Sequence, residues 1–439
     1  MEIFTLIIII ILAICSGTIT GLIPGLHINF ISIMILINFQ VLTKILPTEQ
    51  LIIFIIIMSL THTFVDFIPS IAFGIPNSDT AMSILPGQQM ILKGEGYKAI
   101  LLSNLGSLFG VITSAIIGTI FYFNLESFYT TIQPLLPYIL AGIVTLGIFL
   151  EPNKNQKFMA IILILFTGGY GIFLLNSVQL NQPLLILFTG IFANAAIINS
   201  LLQKTQKLPP QNYNLPKIRQ IINKNYLKSI FNGALSSSIC SVTPAVGNIQ
   251  AATLSTIISG IKFKRKNKNE KTKKQTKHDM IEEQKQKEQD KVENQENFIS
   301  LISLINTNNF VLSLITFLTI SKARNGSIFV ISQILSNIDL AQIIKYYIII
   351  VITTPFIFYL TLKIGKFTIK KLTKLNKYFK RINFTLLLLL TIQITLLESF
   401  FGLICLIGAT LLGYITIVMK IKRIHLLSAL IIPTILNLM

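Results

Sequence analysis

The chain has 439 residues, of which 52% are hydrophobic and only 12% are charged. A soluble protein of ordinary composition carries about 25% charged residues, so this composition excludes a soluble globular domain. The net charge of +20 would suggest a nucleic-acid partner in a soluble chain. Here it has a simpler explanation, because basic residues collect in the cytoplasmic loops of membrane proteins. The three cysteines lie far apart in apolar stretches and predict neither disulfides nor a metal site.

Apolar stretches that suit the roughly 30 Å of bilayer hydrocarbon recur along the whole chain. The first one lacks the basic start and the cleavage site of a signal peptide, so we interpret it as a retained helix. The predicted membrane segments of the first half are 3–23, 28–46, 51–73, 99–123, 135–150, 158–175 and 184–202. Those of the second half are 230–243, 249–261, 299–320, 343–362, 386–397, 402–418 and 426–438. The sequence therefore predicts an all-α, polytopic membrane protein.

Two polar stretches interrupt the apolar segments. Residues 203–228 contain six Lys or Arg, no acidic residue and three prolines, which predicts a basic, exposed connection. Residues 262–297 contain twelve basic and eight acidic residues and cannot bury enough apolar surface to fold alone. We expect them to be a charged, disordered insertion, although their Glu, Lys and Gln content would also suit a transient helix. A solvated linker and a partner-binding tail are both compatible with this composition.

The distribution of Lys and Arg predicts the orientation of the chain in the cell membrane. Three loops are rich in basic residues and should face the cytoplasm: 203–228, 262–297 and 363–381. Two short loops contain no Lys or Arg and should face outward: 124–131 and 176–182. Basic and non-basic loops then fall on opposite sides of the membrane if each half has a helical hairpin followed by about five membrane crossings. Because five is odd, the domains 1–202 and 229–439 would then be two inverted repeats.

Helix breaks at Pro24 and Pro244 match between the two halves. A proline in a membrane segment frees backbone groups that are tolerated only beside protein or a water-lined cavity. Secondary transporters use such breaks, in matching positions of two repeats, to build substrate sites. Simple hairpin turns would give the same pattern. The predicted substrate-binding residues at the breaks are Pro24, Gly25, His27, Asn29, Pro244, Gly247 and Asn248.

Gly17, Gly21 and Gly25, just before and at the first break, form a double GxxxG pattern. This pattern predicts close packing of the first helix against another helix.

A second polar cluster follows the apolar stretch that begins at residue 51. His62 and Asp66 lie four residues apart, on one face of a helix, and ionisable groups inside a membrane are functional candidates. We predict that this pair couples transport to an ion, although a mutually satisfied buried pair explains it equally well. Residues 76–87 resemble a re-entrant loop, with Asp79 and Thr80 at its polar tip as candidate substrate-binding residues.

Polar residues also interrupt an apolar run of the second half. Asn306 and Thr307 lie in its middle and are further candidates for substrate binding. Arg324 follows, and on the predicted topology it faces outward, against the usual distribution of positive charge. A buried guanidinium would suit a carboxylate or a phosphate, which it can bind with two parallel hydrogen bonds. An ordinary cation at the membrane boundary is the alternative.

Enzyme motifs are missing from the sequence. It contains no phosphate-binding G-x4-G-K-[ST] loop, no H-E-x-x-H and no G-x-S-x-G, so we predict no enzyme activity and no cofactor. Transport would then depend on an ion gradient or on another subunit. Two alternatives stay open: a transporter of a lipid-linked phosphate or other amphiphile, and an intramembrane enzyme that uses His62 and Asp66. A scaffold that moves no solute is a third.

Taken in order, these stretches resemble the large membrane subunit of tripartite tricarboxylate transporters, the TctA family, in its archaeal branch. The matching stretches are 21–29, 61–96, 244–252, 306–326 and 402–438. The resemblance implies a permease for small carboxylates, driven by a proton or sodium gradient. It also implies a small membrane subunit and an extracytoplasmic binding protein as possible partners. His27, Ala245 and the charged insertion depart from the family pattern, which leaves citrate-like substrates and the partner subunits open.

Overall fold

A computed structural model of the chain describes most of its residues, including nearly all of the predicted membrane segments. The described residues are 2–23, 28–74, 80, 84–149, 151–202, 208–243, 247–248, 251–252, 254–255, 277–323, 325–335, 339–375, 379–419 and 421–439. They are almost entirely helical, and no strand occurs among them.

In the described part of the first half, the first helix ends just before the Pro24 break and ten more helices follow it. These helices are α1 (Glu2–Leu22), α2 (Ile28–Ile37), α3 (Phe39–Leu42), α4 (Thr48–Val65), α5 (Phe67–Phe73), α6 (Ile84–Leu92), α7 (Gly96–Ile132), α8 (Leu136–Phe149), α9 (Lys154–Leu175), α10 (Pro183–Phe188) and α11 (Ala195–Leu202). A π-helical turn, Thr189–Asn194, joins α10 to α11, so that the two form one membrane segment.

In the described part of the second half the helices are fewer, and several of them are long. They are α12 (Ile218–Ile221), α13 (Lys224–Val242), α14 (Lys277–Ile320), α15 (Gly326–Ile334), α16 (Leu340–Leu375), α17 (Phe379–Val418) and α18 (Ser428–Leu438). A 3-10 turn, Arg423–Leu427, precedes α18. Within α17 the backbone of Ser399 is left-handed, with φ of 63°, and divides the helix into two parts.

The predicted all-α, polytopic membrane fold is confirmed. Eight helices in the described part of the chain are long and apolar enough to cross a membrane. The structure differs from the prediction at the charged insertion, because residues 277–297 are helical and continue into the membrane part of α14. The segments predicted at 386–397 and 402–418 belong to one interrupted helix, α17, and the helices α6 and α15 were not predicted. The segment predicted at 249–261 lies mostly outside the described residues.

Small residues allow α7 and α14 to pack closely along much of their length. A Cβ atom added at Gly106 would lie 2.1 Å from the carbonyl oxygen of Ser300, so that position has no room for a side chain. Ser300 in turn donates a hydrogen bond to the carbonyl of Leu102, at 2.8 Å. Lipid is as apolar as leucine, so close backbone approach and polar contacts of this kind hold membrane helices together. This contact joins the two halves of the chain at its centre.

The predicted close packing at the GxxxG pattern is confirmed for two of its glycines. A Cβ atom at Gly17 would lie 2.4 Å from the carbonyl oxygen of Met58, and one at Gly21 would lie 2.9 Å from Val65. Both contacts are with α4, so the end of α1 lies directly against the helix that carries His62. Gly25 lies outside the described residues.

Candidate functional site

The predicted ion-coupling residues lie at an interruption between α4 and α5. His62 is in the last turn of α4, and Asp66 separates the two helices. Pro69 has no N–H group to give to the carbonyl of Val65, which interrupts the helical hydrogen-bond ladder at this point. Both ionisable side chains are buried, with exposed fractions of 3% for His62 and 2% for Asp66. An ionisable pair is therefore held inside the protein, within a segment that is apolar on either side.

Asp66 begins a continuous chain of side-chain hydrogen bonds into the second half. Asn306 donates from Nδ2 to Oδ2 of Asp66 at 3.1 Å. Asn248 donates from Nδ2 to Oδ1 of Asn306 at 2.9 Å, and Asn309 donates to Oδ1 of Asn248 at 2.9 Å. Three asparagines thus connect the carboxylate to the region just after the Pro244 break. We call these four residues the central network.

His62 contacts α1 one turn before the first helix break. Its Nδ1 lies 3.1 Å from Oγ1 of Thr20. The Thr20 hydroxyl donates its hydrogen to the carbonyl of Gly17 at 3.0 Å. The Thr20 hydroxyl thus links the imidazole of His62 to the backbone of α1.

Two threonines, one from each half, meet beside the central network. Thr307 donates from its hydroxyl to Oγ1 of Thr63 at 3.1 Å. The next residue, Asn308, donates to Oγ of Ser237 on α13, so it points away from Asp66. The stretches 61–63 and 306–308, which carry the predicted site residues, are therefore in direct contact at the centre of the fold.

Thr80 and Gly247 are the two remaining predicted residues whose surroundings are described. Thr80 is fully buried, and its hydroxyl lies 2.5 Å from that of Ser70, one helical turn beyond Asp66. Gly247 is exposed and directly precedes Asn248. The structure therefore places Asp66, Asn248, Asn306, Thr80 and Thr307 in one neighbourhood, around the start of α5 and the middle of α14.

Several predicted site residues fall outside the part of the chain that the structure describes. They are Pro24, Gly25, His27, Asp79, Pro244 and Arg324. Only the backbone of Asn29, in α2, is described. Within the described residues, no group of three or more His, Cys, Asp or Glu could hold a metal ion.

Comparison with known proteins decides the family. Residues 7–428 match the family described as the tripartite tricarboxylate transporter TctA family. The chain belongs to that family. It is 28% identical to an uncharacterized protein of Methanocaldococcus jannaschii over 434 residues, which cover 97% of each chain. No solved structure matches the chain.

Membership in the TctA family identifies the chain as a component of a secondary transporter of the tripartite tricarboxylate type. TctA proteins work with other subunits and a binding protein. A multi-pass membrane location follows from the family and from the eight long apolar helices. The central network is therefore the polar interior of a transporter subunit.

Sequence reasoning did not single out three further polar residues, of which Asn309 is half-buried and the other two are buried. Asn309 lies three residues after the predicted Asn306 on α14, and it completes the central network. Glu151 and Glu398 are the other two, with exposed fractions of 3% and 2%. A lone acidic residue within an apolar stretch marks Glu398 in the sequence, whereas Glu151 lies where an apolar segment gives way to the polar stretch 151–157.

Proposed function

We propose that the chain is a permease that moves a small organic anion, a carboxylate, across the cell membrane at the expense of an ion gradient. The central network carries this proposal. It joins a buried carboxylate of the first half to amide groups beside a helix break of the second half. Ionisable and polar groups are costly at membrane depth, and in membrane proteins they mark the pathways of ions and substrates.

In this proposal Asp66 is the coupling site for a proton or a sodium ion, with His62 as its partner. A cation bound to the carboxylate competes for Oδ2, the atom that accepts the hydrogen bond of Asn306. Asn306 also accepts from Asn248, so a change at Asp66 moves along hydrogen bonds to a residue four positions after Pro244. Binding of the cation is thereby linked to the geometry of the second helix break.

The anion binds where the broken helices meet these amide groups. Helix N-termini and amide N–H groups favour carboxylates, and a guanidinium binds them with two parallel hydrogen bonds. The proposed substrate-binding residues are Pro24, Gly25, His27, Asn29, Asp79, Thr80, Pro244, Gly247, Asn248, Asn306, Thr307 and Arg324. A small membrane subunit and an extracytoplasmic binding protein are the proposed partners, as in the family.

Uptake by the reconstituted protein tests this function. Purified protein in proteoliposomes is offered labelled citrate and smaller di- and monocarboxylates, under an imposed proton or sodium gradient. We expect one of these solutes to accumulate, and accumulation to stop when an ionophore collapses the gradient. Direct binding of the same solutes to the detergent-solubilised protein separates a missing partner subunit from a wrong substrate class. If no carboxylate binds or accumulates under either gradient, the proposed function is wrong.

A further inference from the structure

Residues 136–202 and 379–438 pack mainly on each other, although they come from different halves of the chain. We call them together the peripheral unit. Within it α9 packs against α18, and the second part of α17 packs against the segment formed by α10 and α11. Backbones approach closely at both contacts. A Cβ atom at Gly171 would lie 1.8 Å from the carbonyl oxygen of Ala429, and one at Gly413 would lie 2.1 Å from that of Ile191.

Glu398 connects the second half to the first within this unit. It precedes Ser399, where α17 is interrupted, and its side chain is buried. Its Oε2 accepts a hydrogen bond from the backbone N–H of Asn181 at 2.7 Å. Asn181 lies in the loop before α10, so the carboxylate is next to the N-terminus of the last membrane segment of the first half. A negative charge at a helix N-terminus is stabilising.

Glu151, in the first half, makes the corresponding contact with a loop of the second half. It lies between α8 and α9, and its Oε1 accepts a hydrogen bond from the backbone N–H of Lys422 at 3.0 Å. The same oxygen lies 3.0 Å from Nε2 of His425, and the two side chains are 1% and 2% exposed. Lys422 directly precedes the turn that leads into α18, the last helix of the second half. Glu151 thus holds the start of the last segment of the opposite half.

The two glutamates also occupy corresponding places in the sequence. Each follows a leucine, at Leu150-Glu151 and Leu397-Glu398, and each is followed by a helix that contains a Gly-Tyr pair, at 169–170 and 413–414. After that helix come a short loop and the last membrane segment of the half. The loop that each glutamate contacts belongs to the other half in both cases. A two-fold symmetry relation between the halves would produce these reciprocal contacts.

We infer that Glu151 and Glu398 are equivalent positioning residues of an inverted repeat, and that each fixes the loop before the last segment of the opposite half. On the predicted orientation, Glu151 lies with the cytoplasmic cations near Lys154, and Glu398 lies with the outward loop 176–182. The peripheral unit is therefore joined near both surfaces of the membrane. This inference concerns the architecture alone and stands whether or not the proposed substrate is correct.

Hydrogen–deuterium exchange of the purified full-length protein tests whether each glutamate holds a loop of the opposite half. Asn181 and Lys422 have exposed side chains, yet their amides should be protected in the wild type compared with the exposed loop residue Val178. Glu398→Ala should raise exchange in the 176–182 loop by about tenfold and leave 421–425 unchanged. Glu151→Ala should do the reverse. Glu126→Ala, which removes an exposed carboxylate of α7, is the control and should change neither loop.

The conservative variant Glu398→Gln keeps an oxygen that can accept the N–H of Asn181, so it should keep the protection of the 176–182 loop. Faster exchange in the loop of the same half, equal effects on both loops, or no effect in the Ala variants would overturn the inference. If an Ala variant does not fold, exchange in the wild-type protein still tests the two contacts. Amides of Asn181 and Lys422 that exchange as fast as that of Val178 would show that neither contact exists.

Discussion

Asn306 donates a hydrogen bond to Asp66 over 3.1 Å, although 240 positions separate the two residues. The bond joins the interruption between α4 and α5 to the middle of α14, and so joins the two halves of the chain. Asn248 extends it toward the second helix break. A change in the charge of Asp66 therefore has a direct structural route to the residues that we propose to hold the solute.

Substitutions of two neighbouring asparagines distinguish a role in the proposed binding site from a role in helix packing. Asn309→Ala removes the donor to Oδ1 of Asn248, and we expect it to weaken carboxylate binding by about tenfold. The matched variant Asn308→Ala removes the contact with Ser237, which lies outside the central network. It should leave affinity unchanged and lower stability by about 1–3 kcal/mol. Isothermal titration and thermal unfolding measure the two effects. Equal loss of affinity in both variants would contradict the assignment.

Close packing of α7 on α14 makes a specific prediction about stability. Gly106→Ala places a methyl group against the carbonyl of Ser300, so we expect a loss of more than about 2 kcal/mol and a clearly lower Tm. Gly169→Ala is the control, because nothing lies within 4 Å of a Cβ atom there. It should be neutral or stabilising by up to about 1 kcal/mol, the helix preference of alanine over glycine. Thermal unfolding in detergent compares the two. Similar Tm values for both variants would exclude this contact.

The predicted orientation can be tested by labelling single cysteines in right-side-out vesicles. The native Cys15 is exposed, so it is first replaced by serine. A cysteine at Gln179, in the loop without basic residues, should react with an impermeant thiol reagent. One at Asn212, in the basic connection, should react only after the membrane is made permeable, and Asn376 should behave in the same way. Labelling of position 212 from outside would reverse the proposed orientation.

The charged insertion should be dispensable for transport over most of its length. Deletion of 266–289 spares Glu293, which accepts hydrogen bonds from Asn223 and Asn225, and Glu296, which pairs with Lys98. Loop length has a small thermodynamic effect, about 0.6 kcal/mol for each doubling, so the shortened protein should insert and transport normally. Uptake and surface labelling are measured on the same vesicles. A normally inserted but inactive deletion variant would instead give this segment a regulatory or partner-binding role.

The sequence predicts most of the helices because the bilayer demands long apolar segments, and charge distribution along the chain follows from the same cause. It does not predict the partner of Asp66, because a contact over 240 positions depends on how distant helices pack. The sequence likewise does not predict that the backbone of α7 at Gly106 lies against the carbonyl of Ser300. The repeated small residues of α7 are visible in the sequence, but their partner helix is not.

The two buried glutamates show a different limit of prediction from the sequence. Glu398 is an acidic residue inside an apolar stretch, which the sequence marks as unusual, whereas Glu151 follows the end of an apolar segment and carries no such signal. Each is bonded to a loop in the opposite half of the chain, and the sequence cannot show which backbone amides they hold. The polar composition of the charged insertion predicts at most a transient helix, whereas the structure is helical from Lys277 onward.

The most direct test of the proposed transport site is the cation dependence of carboxylate binding in the wild type and in Asp66→Asn. Asparagine keeps an oxygen that can accept from Asn306 but removes the negative charge that would bind the coupling cation. Affinity is measured over a range of sodium concentrations and pH values, with Asn308→Ala as the matched control. We predict that affinity depends on the cation in the wild type and in the control, and becomes independent of it in Asp66→Asn. Unchanged cation dependence in Asp66→Asn would contradict the account.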